Sequence, residues 1–126
     1  MSYSLKDLAV DIKSILKKDG IEKGCDQVCI FVQKALMNQD FVIKNLSDRK
    51  NGEPEREILY EDEELGFCIC GHVYDKEANG NPHDHGSSWA VYGQATGETE
   101  MTDWKIAKKE RETIFVQPDK TYIMKP

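Results

Sequence analysis

The chain has 126 residues, a formal net charge of -6, 32% charged and 39% hydrophobic residues, which suits one globular domain with a modest core. An acidic surface argues against nucleic acid as a partner, since phosphate binding needs a basic face. No apolar run approaches the roughly 18 residues of a membrane span, so no membrane partner is expected. The opening Met1-Ser2-Tyr3-Ser4-Leu5-Lys6-Asp7 lacks the basic, apolar and small-residue succession of a secretory signal. A cytoplasmic location follows as the expectation, with Cys25, Cys29, Cys68 and Cys70 reduced.

Taken in order, Leu5, Leu8, Ala9, Ile12, Ile15 and Leu16 recur at spacings of three and four, with charged residues between them. That spacing predicts an amphipathic helix opened by a Ser4–Asp7 capping box and stopped at Gly20. A second helix is expected from near Asp26 to Met37 on Val28, Cys29, Val32, Ala35 and Leu36, with Asn38 in its last turn. Cys25 and Cys29 lie one turn apart on it. They are expected as small half-buried apolar residues, with redox partners or metal ligands as the alternative. Residues 1–40 thus read as a helical segment packed on residues 41–126.

From Phe41 the rhythm changes. Residues 41–46 are rich in β-formers, and residues 47–54 form a polar loop with a turn at Asn51-Gly52. A strand over residues 57–60, a solvated acidic turn over 61–64 and a buried strand over 65–74 follow. On the last, Cys68, Cys70 and His72 alternate and share a face. After a polar loop at 75–81 come the histidine pair and an apolar strand at 89–92, for whose Trp89 and Tyr92 core packing is expected. Beyond Gly97 an alternating strand over 98–106, a charged turn at 108–112 and short strands at 113–116 and 121–124 complete a mainly β pattern.

The chemistry concentrates in Pro82-His83-Asp84-His85-Gly86. In an extended segment residues two apart project from one face, so His83 and His85 aim both imidazoles at one point while Asp84 turns away. Neutral imidazole is the commonest protein ligand for transition metals. The plain alternative is a solvated loop. A zinc site joining Cys68, Cys70 and His72 to the pair is a rival, but its spacing matches no common zinc module.

Residues 59–105 resemble the first half of a cupin. Pro82-His83-Asp84-His85, Trp89, Gly93 and Gly97 carry the likeness, with Leu59-Tyr60-Glu61-Asp62 and Leu65-Gly66-Phe67 upstream. Within cupins the segment is most similar to small bacterial proteins related to thiol dioxygenases. An ordinary cupin has a glutamate ligand shortly after the second histidine; here Ser87, Ser88, Trp89 and Ala90 stand there, which resembles a three-histidine iron centre. The second cupin motif is absent. Residues 120–126 resemble its approach, and no histidine follows His85, so a fragment of a longer protein, a third ligand from elsewhere, or a site that does not hold iron as the family does is expected.

The resemblance implies a cupin-type double-stranded β-helix, a jelly-roll barrel incomplete at that motif, over residues 41–126, preceded by two short N-terminal α-helices. It implies Fe(II) at His83 and His85, with zinc or another divalent metal as the alternative. It further implies dioxygen and a small thiol or other small organic acid as substrates, with Arg56 receiving the carboxylate and Tyr92 offering a hydroxyl near bound oxygen. For Arg56 a surface ion pair is the competing expectation. An open barrel would expose unpaired edges, so a homodimer covering the opening is expected. A non-catalytic metal- or ligand-binding cupin, or a domain acting only through association, are the alternatives.

Overall fold

The computed structural model describes residues 2–47, 56–74, 88–110 and 113–126. They fall into two compact units, residues 1–80 with 89–93, and residues 81–88 with 94–126.

The first unit begins with α1 (Leu5–Leu36), which is two helices joined at Gly20 (φ 74°, ψ 174°). Its start is fixed by a capping box. The Asp7 amide donates to Ser4 Oγ at 3.1 Å and the Ser4 amide donates to Asp7 Oδ2 at 3.0 Å, satisfying two amides that the first turn leaves without partners. Gly20 adopts a backbone region open essentially to glycine alone. The break there turns the chain back on itself. A straight helix would separate Ile15 and Gly24 by about 13 Å along the axis, yet a Cβ placed on Gly24 would lie 3.3 Å from Ile15 Cγ1. The two halves therefore pack, and Leu8, Ile12, Val28 and Ala35 are buried together with Tyr3, Phe41 and Phe67. Each large aliphatic side chain so buried is worth roughly 1.5–3 kcal/mol. Tyr3 also donates to the Asp11 carboxylate, and the Lys34 ammonium sits 4.5 Å from the centre of its ring. Burial, then the Asp11 contact, drives the Tyr3 hydroxyl well above its ordinary pKa.

A short helix α2 (Gln39–Asn45) follows, capped by Asn38, whose Oδ1 accepts from the Phe41 amide at 3.1 Å. Strands β1 (Arg56–Glu61) and β2 (Cys68–His72) then pair antiparallel, with Arg56 opposite His72 and Ile58 opposite Cys70. A register shift between Ile58 and Tyr60 marks a bulge at Leu59, which lets two consecutive apolar residues reach the helical side. Tyr60 packs on the core with its ring 5.8 Å from that of Phe67. A Cβ on Gly71 would meet Leu59 Cδ1 at 3.3 Å and Leu46 Cδ2 at 2.9 Å, so a larger residue there would require both leucine side chains to shift.

The turn of this hairpin is held to α1 by charge. Asp62 is 3% exposed. Its carboxylate accepts from the Leu65 amide at 2.7 Å and the Tyr60 hydroxyl at 2.8 Å, and lies 3.3 Å from Lys13 Nζ. Lys13 and Lys17 also reach Glu64 at 3.0 and 2.8 Å. The Leu65 amide first, then the Tyr60 hydroxyl and Lys13, hold the Asp62 carboxyl below the usual carboxylate range.

In the second unit β3 (Thr99–Glu110) pairs antiparallel with β4 (Thr113–Met124), from Thr99 opposite Met124 to Glu110 opposite Thr113. Pro118 stands opposite Trp104, where the register shifts. A proline cannot donate to a ladder, and a two-stranded ribbon, each strand an edge, accommodates it. Before β3, Gln94 donates to the Thr96 carbonyl at 2.8 Å and accepts from the Thr99 hydroxyl at 2.9 Å.

This architecture overturns the cupin-type jelly-roll barrel expected over residues 41–126. The described strands form two separate two-stranded antiparallel sheets, and a two-stranded ribbon cannot close into a barrel. Residues 41–46, read as β-forming, lie largely in α2. The β1–β2 hairpin lays one face on helices rather than on a second sheet. Other readings change as well. The second helix resumes directly after Gly20 rather than near Asp26. Asp62 in the acidic turn is buried, and the two short strands expected near the end are one. The strand over 65–74 shortens to β2, half-open rather than buried. The loop expected at 47–54, from residue 48 on, and the one expected at 75–81 lie outside the described residues, as do residues 111–112 of the charged turn. Among the described residues no helix is long and apolar enough to cross a membrane.

Candidate functional site

Strand alternation divides the β1–β2 hairpin into two faces. Leu59, Tyr60, Ile69 and Gly71 meet the helices. Arg56, Ile58, Cys68, Cys70 and His72 lie on the other face, where Ile58 is 53% exposed and Arg56 and His72 are exposed. Arg56 Nη2 donates to Cys70 Sγ at 3.9 Å, and His72 stands directly across the ladder from Arg56. The His72 ring meets that of Tyr74 edge-on, with centroids 6.3 Å apart. The hairpin thus gathers a guanidinium, a thiol and an imidazole on one open sheet face.

Partial burial, then the positive charge of Arg56, pushes the His72 imidazole below its ordinary pKa. At neutral pH the ring is accordingly uncharged, a donor at one nitrogen and an acceptor at the other. Arg56 then supplies the fixed positive charge of this face. Its planar fork suits a carboxylate, to which it can donate two parallel hydrogen bonds.

Tyr92 reaches the same unit by another route. Val91 packs on the core, and a Cβ on Gly93 would lie 2.5 Å from Leu36 Cδ1 and 2.9 Å from Val32 Cγ1, so residues 91 and 93 press on the second half of α1. Tyr92, between them, is 49% exposed, and Trp89 is 41% exposed. Neither residue is buried, and no strand forms over 88–93, which corrects the buried strand and core roles expected there.

His83 and His85, expected as metal ligands, lie outside the described residues, as does Asp84. As donors, two neutral imidazoles two residues apart suit iron(II) and zinc alike. Among the described residues no three His, Cys, Asp or Glu side chains gather to hold a metal; Cys68, Cys70 and His72 share a face of β2 without converging. The juxtaposition of Arg56 with His72 comes from the register of the hairpin and not from any local motif. Its signal was present in the acidic turn, because a hairpin centred near Glu64 pairs residue 56 with residue 72. No family model, curated protein or solved structure matches this chain.

Proposed function

We propose that this chain is a metal-dependent oxygenase that holds Fe(II) through His83 and His85 and oxidises a small thiol or other small organic acid with dioxygen. What supports it is the donor chemistry of the His83–Asp84–His85 segment, two neutral imidazoles two residues apart; taken by itself, the open face of the β1–β2 hairpin offers in Arg56 a group suited to a carboxylate. The jelly-roll barrel forms no part of this reading; the residues carry it.

Arg56 receives the substrate carboxylate through its fork, fixing one end of the molecule. His72, kept neutral by partial burial and by Arg56, accepts or donates a hydrogen bond without competing for the anion. Tyr92 offers a hydroxyl from the segment that Gly93 presses on α1. When bound, the metal supplies the affinity for dioxygen that protein side chains lack. For a thiol the overall reaction is R–SH + O₂ → R–SO₂H, which needs no further reductant.

The test is oxygen uptake by iron-loaded protein presented with small thiol carboxylates and with the matching thiols lacking the carboxylate. Uptake that favours the acids, with KM raised roughly 10- to 100-fold in Arg56→Ala for the loss of a charge-assisted contact of about 1.5–3 kcal/mol, is expected. No uptake with any thiol, or uptake indifferent to Arg56, contradicts the reading. Stoichiometric zinc without turnover would favour a non-catalytic metal-binding role.

A further inference from the structure

Cys25 and Cys29 stand one turn apart on the second half of α1; Cys25 is half-buried, Cys29 exposed, and both are free thiols. Side chains at this spacing lie on one helical face with Cβ atoms about 5–6 Å apart. A disulfide requires roughly 3.5–4.5 Å between Cβ atoms, so the pair cannot close into one while the helix stands. The two sulfurs nevertheless interact. Partial desolvation first, then the neighbouring Cys25, raises the Cys29 thiol above its ordinary pKa.

A spacing too wide for a sulfur–sulfur bond is suited to an ion placed between the sulfurs, because two metal–sulfur bonds of roughly 2.3 Å, the zinc value, lengthen the span. The choice of ion follows from the number of ligands. Structural zinc takes four, and among the described residues no third His, Cys, Asp or Glu joins the pair. Cuprous copper is soft, prefers thiolates and is satisfied by two of them in a near-linear arrangement.

We propose that Cys25 and Cys29 form a two-thiolate site for Cu(I) on the surface of α1. On binding, two S–H bonds break and two Cu–S bonds form. Cu⁺ and two thiols give an anionic bis-thiolate complex and release two protons, with no change in oxidation state. The exposed Cys29 is the point of entry, and the half-buried Cys25 completes the pair.

The experiment uses the full chain with Cys68→Ser and Cys70→Ser, which leaves only the helical pair. Cu(I) is titrated anaerobically in competition with a coloured cuprous chelator. One Cu(I) per chain is expected. Loss of orienting groups around a metal ligand alone weakens sites 10- to 100-fold, so Cys25→Ser or Cys29→Ser, which remove a ligand, should weaken binding by more than about 100-fold. A further variant, Cys29→Ser with Ile30→Cys, keeps two thiols but turns one roughly 100° around the helix. Ile30 is 54% exposed, so this variant retains the fold, as unchanged helical circular dichroism will verify. It should lose the site. Undiminished binding in any of these variants, or Cu(I) uptake that appears only when Cys68 and Cys70 are present, overturns the proposal.

Discussion

Replacing Gly20 by alanine tests the feature on which the first unit rests. At φ 74° and ψ 174° an L-residue pays roughly 1–3 kcal/mol of backbone strain. Nothing lies within 4 Å of the new methyl group to offset it. The alternative open to the variant is to become helical at position 20, gaining up to about 1 kcal/mol of propensity. That route would straighten α1 and pull Val28 from Leu8 and Ile12, forfeiting several contacts worth roughly 1.5–3 kcal/mol each. The kink should therefore persist and the strain be felt. Gly20→Ala is expected to lower unfolding free energy by about 1–3 kcal/mol, near 4–8 °C of Tm per kcal/mol for a unit of this size. Gly24→Ala, the control, gains helix propensity while its Cβ meets Ile15 Cγ1 at 3.3 Å and the Ile15 carbonyl oxygen at an ordinary 3.6 Å, and should stay within about 1 kcal/mol of the parent. Urea unfolding followed by far-UV circular dichroism measures both. A Gly20→Ala protein that is more stable and more helical than the parent would refute the reversal of the chain at Gly20.

Asp62→Asn should destabilise the protein at neutral pH, because the ionised carboxylate accepts from the Leu65 amide and Tyr60 and faces Lys13. The Asp62 pKa is depressed on folding, so its contribution is present above the unfolded value of about 4 and fades as pH falls through the lower folded value. The gap in Tm between parent and variant should therefore narrow on the acid side; a gap independent of pH contradicts the assignment. At the candidate site, Arg56→Ala removes the positive charge that helps depress His72 while leaving partial burial, the larger cause, in place. The His72 pKa read by NMR titration should rise part of the way toward its ordinary value, and no movement would mean that the two side chains do not share a face.

Much of the helical part was legible because its signals are local. Ser4 with Asp7 and the stop at Gly20 act within one turn and needed no tertiary context. Helix α2 was not legible, because Phe41, Val42 and Ile43 favour strands intrinsically and only burial of Phe41 against α1 decides otherwise. Asn38 suits the end of one helix as well as the start of the next, because its capping role shows only once the following segment is helical. Asp62 looked like one of four solvated acids; its burial depends on Lys13, forty-nine positions earlier in the chain. The strands expected at 113–116 and 121–124 are one, because a proline such as Pro118 interrupts a ladder in a sheet interior but not in a two-stranded ribbon. The two β1–β2 faces were half-legible. The alternation of Cys68, Cys70 and His72 was in the pattern, whereas the approach of Arg56 depended on the register set by the turn. The barrel failed as an expectation because strand patterning gives the period of a strand and not its partner.

The measurement that bears most directly on the proposed function is elemental analysis of the full chain purified without a histidine tag, alongside His83→Ala and His85→Ala. Near-stoichiometric iron in the parent, lost in both variants while the helical circular dichroism is unchanged, is the predicted result. Iron that is absent from the parent after reconstitution, or retained when either histidine is removed, would contradict it.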